Sequence, residues 1–364
     1  MTESNPCSAE NRSDVVLIGA GVVGASIAEA HRDAEIPFTI ADIRPGAAES
    51  VARGLGLDGV PVSVGPLGGF ATTGAAVTTD ALVIESVPED RDVKREFARG
   101  VLTTMPGAVW ASNTSTLSIR SLADDSDRPD RVVGMHFFMP VPHRWGVELV
   151  TTDQTSTAVA RRCRSHIERL NRTIIPAPDT PGFIVNRMLA PYLNESLSLL
   201  TAGVSPEVLR NAATDYGMPI SPLELIDHIG MKTMFDSGRI YWQNWPRRMN
   251  PSPVVARAIK LGRHGPAVRV LDERGGLTET MRSLVKRYRT DDALMTTTDV
   301  MRRMSAVMAD EARQLIAEGG VSVGTIDAAM RGGLGFGPGP WSERVEFWGR
   351  GQGLGEKEKD KDND

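Results

Sequence analysis

The 364-residue sequence is poor in cysteine and in long apolar runs, and these two scarcities exclude several classes of protein. Its two cysteines, Cys7 and Cys163, are too few and too far apart for a disulfide framework or a thiolate metal cluster. The longest apolar stretch, residues 15–28, is interrupted by glycines and a serine, so it fits neither a membrane span nor a secretory signal. We therefore expect a cytoplasmic protein without a membrane partner.

The sequence also lacks a block of basic residues. It has 41 Lys and Arg against 46 Asp and Glu, a formal net charge of −5, and its basic residues lie in mixed-sign segments. This charge pattern argues against nucleic acid as a partner. Histidines and acidic residues do not cluster at metal-ligand spacing, so we expect no metal site. The length allows two or three domains.

A glycine-rich turn follows the first predicted strand, residues 15–18. The turn reads Gly19-Ala20-Gly21-Val22-Val23-Gly24, and a helical pattern over residues 25–33 follows it. In such a turn, Gly19 permits the tight bend, Gly21 lets the backbone approach a pyrophosphate, and Gly24 lets the helix pack on the strand. The phosphates would then lie at the helix N-terminus. This combination predicts a dinucleotide site.

A second predicted strand, residues 38–41, ends at Asp42, which lies 18 positions after Gly24. An acidic side chain at this interval accepts hydrogen bonds from the ribose hydroxyls and repels a 2′-phosphate. Asp42 therefore favours NAD over NADP, although the nearby Arg44 weakens that preference.

Polar residues follow several later strands. Residues 81–87, 108–112 and 132–136 are predicted strands, and the second delivers Asn113-Thr114-Ser115-Thr116 at its carboxyl end. Ligands of doubly wound sheets bind at carboxyl ends of strands, so these side chains are predicted to face a cofactor crevice. Asn and Ser are also common turn formers, and that interpretation stays open.

His136 and Glu148 lie 12 positions apart, in two predicted extended segments joined by a loop that contains prolines. A carboxylate that accepts the far N–H of an imidazole fixes its tautomer, and the pair can act as a general base. A buried structural histidine beside a surface glutamate is the alternative. His143 is a rival for the base, but it follows two prolines in the loop.

The pieces SNTSTLSI, GMHFFMPVP, VELV and DTPGFIVNR follow GAGVVG in this order, and together they resemble the 3-hydroxyacyl-CoA dehydrogenases over about residues 14–231. The resemblance implies an NAD-dependent oxidoreductase that oxidises the 3-hydroxyl of a 3-hydroxyacyl thioester, as in fatty acid metabolism. It implies a catalytic base, His136, with Glu148 as its partner, and Ser115 and Asn186 as groups that position the substrate oxygen. It also places Glu89, Lys94 and Asn113 beside the nicotinamide cofactor, although a solvated helix start remains the alternative for this segment.

The second half of the sequence has helical patterns. Residues 182–202 predict a long helix with a kink at Pro191, and residues 206–216 predict another helix. A related pattern returns near the C-terminus, where Val321-Ser322 aligns with Val204-Ser205, Gly335 with Gly217 and Pro340 with Pro222. The expected fold is an α/β N-terminal Rossmann-type domain followed by all-α C-terminal domains. The expected units are a disordered N-terminus (1–12), the NAD-binding domain (13–178), two repeat-like helical domains (179–290 and 291–349) and a disordered charged tail (350–364).

The sequence departs from the family pattern at several places. Met139 and Ser221 replace an asparagine and a glycine that are usual there, and GRHGPAV replaces a loop rich in glycine and lysine. Only 43 positions separate Asp42 from Glu85, where the family usually has a long helical hairpin that grips coenzyme A. The shortened interval suggests a substrate on a phosphopantetheine-bearing carrier protein, for example in polyketide extender-unit synthesis.

Other possibilities remain open at this point. The substrate could be a free hydroxy acid clamped by Arg144 and Arg187, although surface or helix-pairing roles fit these arginines better. The protein could also be a catalytically silent NAD-binding relative. A second helical repeat in the same chain could cover the face through which single-repeat relatives dimerise, so we expect a monomer or a weakly required homodimer.

Overall fold

The computed structural model describes residues 13–57, 62–64, 77–124, 126–263, 267–291 and 294–336. The predicted loose N-terminus, the predicted charged tail and the end of the second predicted repeat lie outside these residues. No helix in these ranges is long and apolar enough to cross a membrane.

Eight strands of the described chain form one sheet in the order β3-β2-β1-β4-β5-β6-β7-β8. All neighbouring strands pair in parallel except β6 and β7, which are antiparallel. The strands are Ser13–Ile18 (β1), Thr39–Asp42 (β2), Val62–Val64 (β3), Val77–Glu85 (β4), Val109–Ser112 (β5), Val132–Phe137 (β6), Gly146–Val150 (β7) and Thr173–Ala177 (β8).

The strand order reverses direction between β1 and β4, which pair with Ile18 opposite Glu85. In doubly wound sheets this reversal opens a crevice at the carboxyl ends of the strands. Strands β2, β5 and β6 are buried along their whole length because helices cover both faces of the sheet, which explains their uninterrupted apolar sequences. The predicted α/β N-terminal fold is confirmed.

Thirteen α-helices are described, and from α6 onwards the elements are helices. Several begin at a side-chain cap, as in α3, where Asp90 accepts hydrogen bonds from the backbone N–H groups of Asp92 and Val93. The helices are Val22–Asp33 (α1), Ala47–Gly54 (α2), Arg91–Thr104 (α3), Ile119–Ala123 (α4), Thr157–Arg169 (α5), Val185–Thr201 (α6), Pro206–Tyr216 (α7), Pro222–Ile229 (α8), Met231–Asn244 (α9), Pro253–Gly262 (α10), Glu279–Arg287 (α11), Thr297–Glu318 (α12) and Val323–Leu334 (α13).

Two predicted boundaries in the helical half were wrong. Helix α6 begins at Val185 rather than at Gly182, because Gly182 and Phe183 have left-handed backbone angles, with φ of 79° and 50°. The Trp- and Arg-rich residues 241–248 are typical of an irregular connection, but α9 continues as far as Asn244. Ser221, which stands where the family has glycine, caps α8 and exchanges hydrogen bonds with its first turn.

The helix pairs α6–α7 and α12–α13 share their capping. Ser205 and Ser322 cap the N-termini of α7 and α13, while Gly217 and Gly335 end the two helices in the left-handed conformation. The two helix ends also meet, because the rings of Tyr216 and Phe336 pack edge to face at 5.4 Å. This matched geometry supports the proposal that the second pair is a repeat of the first.

Glycines let α13 approach the β6–β7 hairpin closely. A Cβ atom at Gly333 would lie 2.9 Å from the ring of Phe138, and one at Gly332 would lie 3.0 Å from the Cα of Gly146. A side chain at Gly333 would clash with the Phe138 ring, and one at Gly332 would require the hairpin backbone to move by a few tenths of an ångström. The last described helix therefore packs directly against the hairpin of the parallel-sheet domain.

A buried ion cluster joins α6 to α12. Arg187, which is 1% exposed, contacts Glu311 through its Nε and donates two hydrogen bonds of 2.6 and 2.8 Å to Glu318. Its guanidinium also lies 4.1 Å from the ring centroid of Trp245, and the hydroxyl of Tyr241 donates to Glu311. Removing one partner would leave a buried charge unpaired, so the cluster fixes the two helices against each other.

Candidate active site

His136 and Glu148 face each other across the antiparallel pair β6–β7. They are directly opposite residues in the strand register, and Nδ1 of His136 lies 2.7 Å from Oε2 of Glu148. Glu148 is fully buried and His136 is 6% exposed. The register of the β6–β7 hairpin therefore brings the two side chains together. The loop between the strands determines only how many residues separate them in the sequence.

The second oxygen of Glu148 is held by the start of α6. Oε1 accepts hydrogen bonds of 3.0 Å from the backbone N–H groups of both Ile184 and Val185. The left-handed residues Gly182 and Phe183 form the turn that aims these two groups at the carboxylate. Two amide donors and the positive end of a helix stabilise its negative charge. The dyad is thus anchored in both halves of the chain.

The hydrogen bond to Glu148 determines the protonation pattern of His136. An ionised carboxylate only accepts hydrogen bonds, so the neutral imidazole carries its proton on Nδ1 and has a bare Nε2. Nε2 makes no hydrogen bond with any residue in the described ranges. His136 lines a cleft of about 480 Å³, which we call the dyad cleft. An unprotonated ring nitrogen beside a cleft can accept a proton from a bound molecule.

Ser115 and Asn186 line the same cleft and contact each other. The side-chain Nδ2 of Asn186 donates to the backbone oxygen of Ser115 at 3.3 Å. The Ser115 hydroxyl points to Oε1 of Glu89 at 3.3 Å. All four residues predicted to act on the substrate, His136, Glu148, Ser115 and Asn186, therefore lie around one site.

Glu89 organises the loop that carries Ser115. Its Oε1 accepts from the hydroxyl of Thr114 at 2.7 Å, from the amides of Ser115 and Thr116 at 2.9 and 3.0 Å, and from the Thr116 hydroxyl at 2.9 Å. Burial acts to raise the pKa of Glu89, but Lys94 and these donors outweigh it and hold the pKa below its ordinary value. The ionised Glu89 side chain therefore holds the loop through these hydrogen bonds.

Lys94 is a buried structural cation. Its Nζ lies 2.6 Å from Oε1 of Glu85 and 3.6 Å from Glu89, and only 1% of the lysine side chain is exposed. Glu85 is fully buried and also accepts from the Ser112 hydroxyl at 2.8 Å. Although Lys94 borders the dyad cleft, its charge is already paired with these carboxylates. The sequence pattern predicts Glu85 only as part of a strand and does not indicate this ion pair.

Asn113 connects the ends of neighbouring strands. Its Oδ1 accepts from the backbone N–H of Phe137 at 2.8 Å, and its Nδ2 donates to the hydroxyl of Ser86 at 3.4 Å. These bonds hold the carboxyl ends of β4, β5 and β6 in register at the dyad cleft, whose lining includes all three residues. Asn113 therefore shapes the cleft whether or not it also touches the cofactor.

The glycine turn fits a dinucleotide. A Cβ atom at Gly19 would lie 2.6 Å from the backbone oxygen of Ser86, and one at Gly24 would lie 1.7 Å from the oxygen of Gly19. A Cβ at Gly21 would meet no atom within 4 Å, so open space lies in front of this residue at the start of α1. A neighbouring cavity of about 590 Å³ is lined by Gly19, Gly21 and Asp42. Uncapped amides and open space are what a pyrophosphate needs.

Asp42 is held by Arg44 in this structure. Its carboxylate accepts from Nε and Nη2 of Arg44 at 3.0 and 2.9 Å and from the amide of Ala20 at 2.7 Å. The Arg44 hydrogen bond outweighs partial burial and lowers the pKa of Asp42 to about 2. Arg44 is 62% exposed in its side chain, so it can turn away and leave the carboxylate to the ribose hydroxyls.

The rival residues have other positions. His143 is exposed in the loop before β7 and has no register partner, whereas His136 faces Glu148. Arg187 pairs with Glu311 and Glu318, so the helix-pairing role describes it and the carboxylate-clamp alternative does not. Arg144 borders the dyad cleft and donates to the backbone oxygen of Met139 at 3.1 Å. Among the described residues, no group of three His, Cys, Asp or Glu could hold a metal ion.

Known proteins match this chain over most of its length. Residues 64–180 match the NAD binding domain of 3-hydroxyacyl-CoA dehydrogenase, and residues 182–269 match the C-terminal domain of the same enzyme. A probable 3-hydroxybutyryl-CoA dehydrogenase of Deinococcus radiodurans is 31% identical over 266 residues, which cover 68% of this chain and 94% of the relative.

Two solved structures have the same architecture. The (S)-3-hydroxybutyryl-CoA dehydrogenase PaaH1 of Ralstonia eutropha is 28% identical, with a TM-score of 0.62 over 71% of this chain and 97% of that one. A 3-hydroxybutyryl-CoA dehydrogenase of Escherichia coli K12 is 22% identical, and it shares the fold with a TM-score of 0.73 over 92% of this chain and 91% of that one. The chain belongs to the 3-hydroxyacyl-CoA dehydrogenase family and is an NAD-dependent oxidoreductase.

Proposed function

We propose that this protein oxidises the 3-hydroxyl group of a 3-hydroxyacyl thioester to a ketone, with His136 as the general base. The observation that carries the proposal is the 2.7 Å contact between Nδ1 of His136 and Glu148, which leaves Nε2 bare at the dyad cleft. Family membership supports the substrate class, because the relatives compared above are named as dehydrogenases of 3-hydroxyacyl-CoA or 3-hydroxybutyryl-CoA.

Oxidation of the alcohol removes a proton from its oxygen and a hydride from its carbon, and different groups accept them. The proton of the substrate hydroxyl passes to Nε2 of His136 as the C–O double bond forms, and the ring becomes an imidazolium. Glu148 stabilises that positive charge through Nδ1 while the α6 amides hold its other oxygen. Bound NAD supplies the acceptor for the hydride that leaves C3.

Ser115 and Asn186 position the reacting oxygen in this proposal. Both line the dyad cleft, and the contact between them fixes one wall of it. The Ser115 hydroxyl can rotate from Glu89 to the substrate oxygen, because Glu89 keeps its four other donors. Alignment of this kind lowers the barrier by holding the hydroxyl near the base before the reaction.

The cofactor-binding roles are part of the same proposal. Gly19, Gly21 and Gly24 would hold the pyrophosphate, and Asp42 would bind the adenosine ribose after release from Arg44. Glu89, Lys94 and Asn113 would shape the nicotinamide end of the crevice, since all three border the dyad cleft.

The direct test is NADH formation from 3-hydroxybutyryl-CoA by the purified chain. We expect NAD-dependent oxidation, with no turnover of free 3-hydroxybutyrate. Oxidation of the free acid at a similar kcat/KM would contradict the thioester proposal. Loss of the thioester reaction in His136→Asn with unchanged binding of NADH, measured by fluorescence, would separate the base from the cofactor site.

A substrate bound to an acyl carrier protein is a second candidate, as in polyketide extender-unit synthesis. The observation that favours it is the short helix α2, which has 8 residues and is the one helix described between Asp42 and Glu85. Residues 58–61 and 65–76 of this interval lie outside the described chain. The same hydroxyacyl group should be presented on a carrier protein and on CoA; a higher kcat/KM for the CoA form would eliminate this candidate.

A further inference from the structure

A second cavity adjoins the dyad cleft in the helical half. It has a volume of about 260 Å³ and lies between α6, α9 and α10, and we call it the apolar chamber. Asn186, Leu189, Ile229 and Thr233 line both the chamber and the dyad cleft. The two spaces therefore meet at Asn186, next to the position proposed for the reacting oxygen.

Carbon and sulfur atoms form most of the chamber wall. Trp242 on α9 borders the chamber and adds a large apolar ring to its wall. Methionine side chains adapt to ligands of varied shape. The apolar lining includes Leu193, Met234, Phe235, Trp242, Met249 and Val255.

The chamber has few polar groups that could bind a ligand, although the buried Ser252 hydroxyl makes no hydrogen bond with the described residues. The amide of Asn194 is used by the backbone, since Nδ2 donates to the Asn250 oxygen at 2.9 Å and Oδ1 accepts from the Ser252 amide at 2.8 Å. Among the lining residues only Arg239 is charged, and it is exposed. A ligand would gain free energy here mainly by removing apolar surface from water.

We infer that the apolar chamber binds the alkyl chain of a 3-hydroxyacyl thioester, so that the preferred substrate has a medium-length chain. The inference rests on the proposed function, because the head of the substrate must lie at His136. A methylene group is about the size of a water molecule, whose share of liquid volume is ~30 Å³. The chamber of about 260 Å³ therefore holds on the order of eight carbons beyond the reacting end.

Chain-length dependence tests the inference. We expect kcat/KM for 3-hydroxydecanoyl-CoA to exceed that for 3-hydroxybutyryl-CoA at least ~10-fold, because the longer chain buries six more methylene groups. If neither thioester is oxidised, the proposed function itself is wrong. If the butyryl thioester is oxidised and the decanoyl thioester is no better, only the chamber assignment is wrong.

A substitution that fills the apolar chamber provides a second test of the inference. Gly238 lies on α9 in the chamber wall, and a Cβ there would meet only the Cε of Met249, at 3.9 Å. The Cβ of a leucine therefore fits without a clash, and leucine favours the helix more than glycine does. We expect Gly238→Leu to lower the decanoyl-to-butyryl ratio of kcat/KM about 10-fold. An unchanged ratio in this variant would overturn the assignment.

Gly54→Leu provides the matched control. Gly54 ends α2 far from the chamber in sequence, and a Cβ there would meet no atom within 4 Å. The control should keep the wild-type ratio. Sedimentation tests a second copy of the chain as the occupant: a dimer that Gly238→Leu dissociates without changing the chain-length ratio would assign the chamber to an interface and overturn the inference.

Discussion

Two buried pairs that contain histidine lie in the described part of the chain, and their partners and surroundings differ. In the first pair, Nδ1 of His136 meets the carboxylate of Glu148 and Nε2 is left bare at the dyad cleft. In the second pair, between α1 and α5, the Nε2 atoms of His31 and His166 lie 3.1 Å apart, and the residues are 0% and 4% exposed.

The hydrogen-bond partner of each histidine determines whether its ring can carry a positive charge. His31 Nδ1 donates to the backbone oxygen of Ile27 at 2.8 Å, so its bare Nε2 accepts a hydrogen bond from the Nε2–H of His166. Burial lowers the pKa of His31 to about 4, and burial with the nearby His31 and arginines lowers that of His166 to about 3. A carboxylate partner supports a charged ring, whereas an imidazole partner in a closed site does not.

The largest loss of turnover should come from replacing His136. We expect His136→Asn to lower kcat about 10³-fold, because general base catalysis contributes ~10²–10⁴-fold. Steady-state assays with 3-hydroxybutyryl-CoA and NAD measure the loss. His143→Asn is the matched control and should retain turnover, since His143 is exposed and lacks a carboxylate opposite it. The reverse ranking would make His143 the base.

Reversing the tautomer should have the next largest effect. In Glu148→Gln, the amide oxygen can still accept from Ile184 and Val185, so the new NH₂ group faces Nδ1 of His136. Nδ1 must then accept, which moves the ring proton to Nε2 and blocks the base. We expect kcat to fall about 10²-fold at neutral pH. NMR of the ring nitrogens would show the change; an unaltered tautomer with lost activity would contradict this explanation.

A smaller loss is expected at the residue that positions the substrate oxygen. Ser115→Ala removes one hydrogen bond of the kind worth ~0.5–1.5 kcal/mol, so kcat should fall about 10-fold. Because Thr114 and Thr116 keep Glu89 in place, the loop should stay folded. Thr104→Ala, at an exposed helix end, controls for loss of a surface hydroxyl. An equal loss in both variants would remove Ser115 from the site.

Replacing a histidine of the buried His31–His166 pair should change stability and leave turnover nearly unchanged. Between about pH 6.5 and 4, both histidines are neutral in the folded chain but protonated in the unfolded chain. The unfolded chain then binds two more protons, so the free energy of unfolding falls as the pH falls, by up to ~2.7 kcal/mol per pH unit.

His166→Leu should halve that slope while kcat at neutral pH stays within about 2-fold of the wild type. Urea unfolding at several pH values measures the slope. His228→Leu is the control, because His228 is exposed and should leave the slope as it is. A wild-type slope in His166→Leu would show that other groups govern acid unfolding.

The α/β fold could be predicted from local patterns in the sequence. The motif order also predicts that His136 and Glu148 belong to one site, and the strand register places them directly opposite each other. The backbone donors Ile184 and Val185 could not be predicted, because they depend on left-handed angles at Gly182 and Phe183.

The other pairs that could not be predicted from the sequence are contacts between distant segments of the chain. His31 and His166 are separated by 135 positions, and Arg187 finds Glu311 after 124 positions. Nothing in the local sequence around Arg187 distinguishes a buried helix-pairing arginine from a substrate clamp. Only the packing of α6 against α12 decides between these roles, and that packing depends on the whole helical half.

The glycines of α13 have a practical consequence for preparing this protein. Gly332 and Gly333 lie against the hairpin that bears the dyad, although they follow His136 by roughly two hundred positions. A partial digest or a shortened clone that ends before α13 would retain every predicted catalytic side chain and still uncover Phe138 beside the base. A preparation meant for assays should therefore keep the chain intact through Gly333.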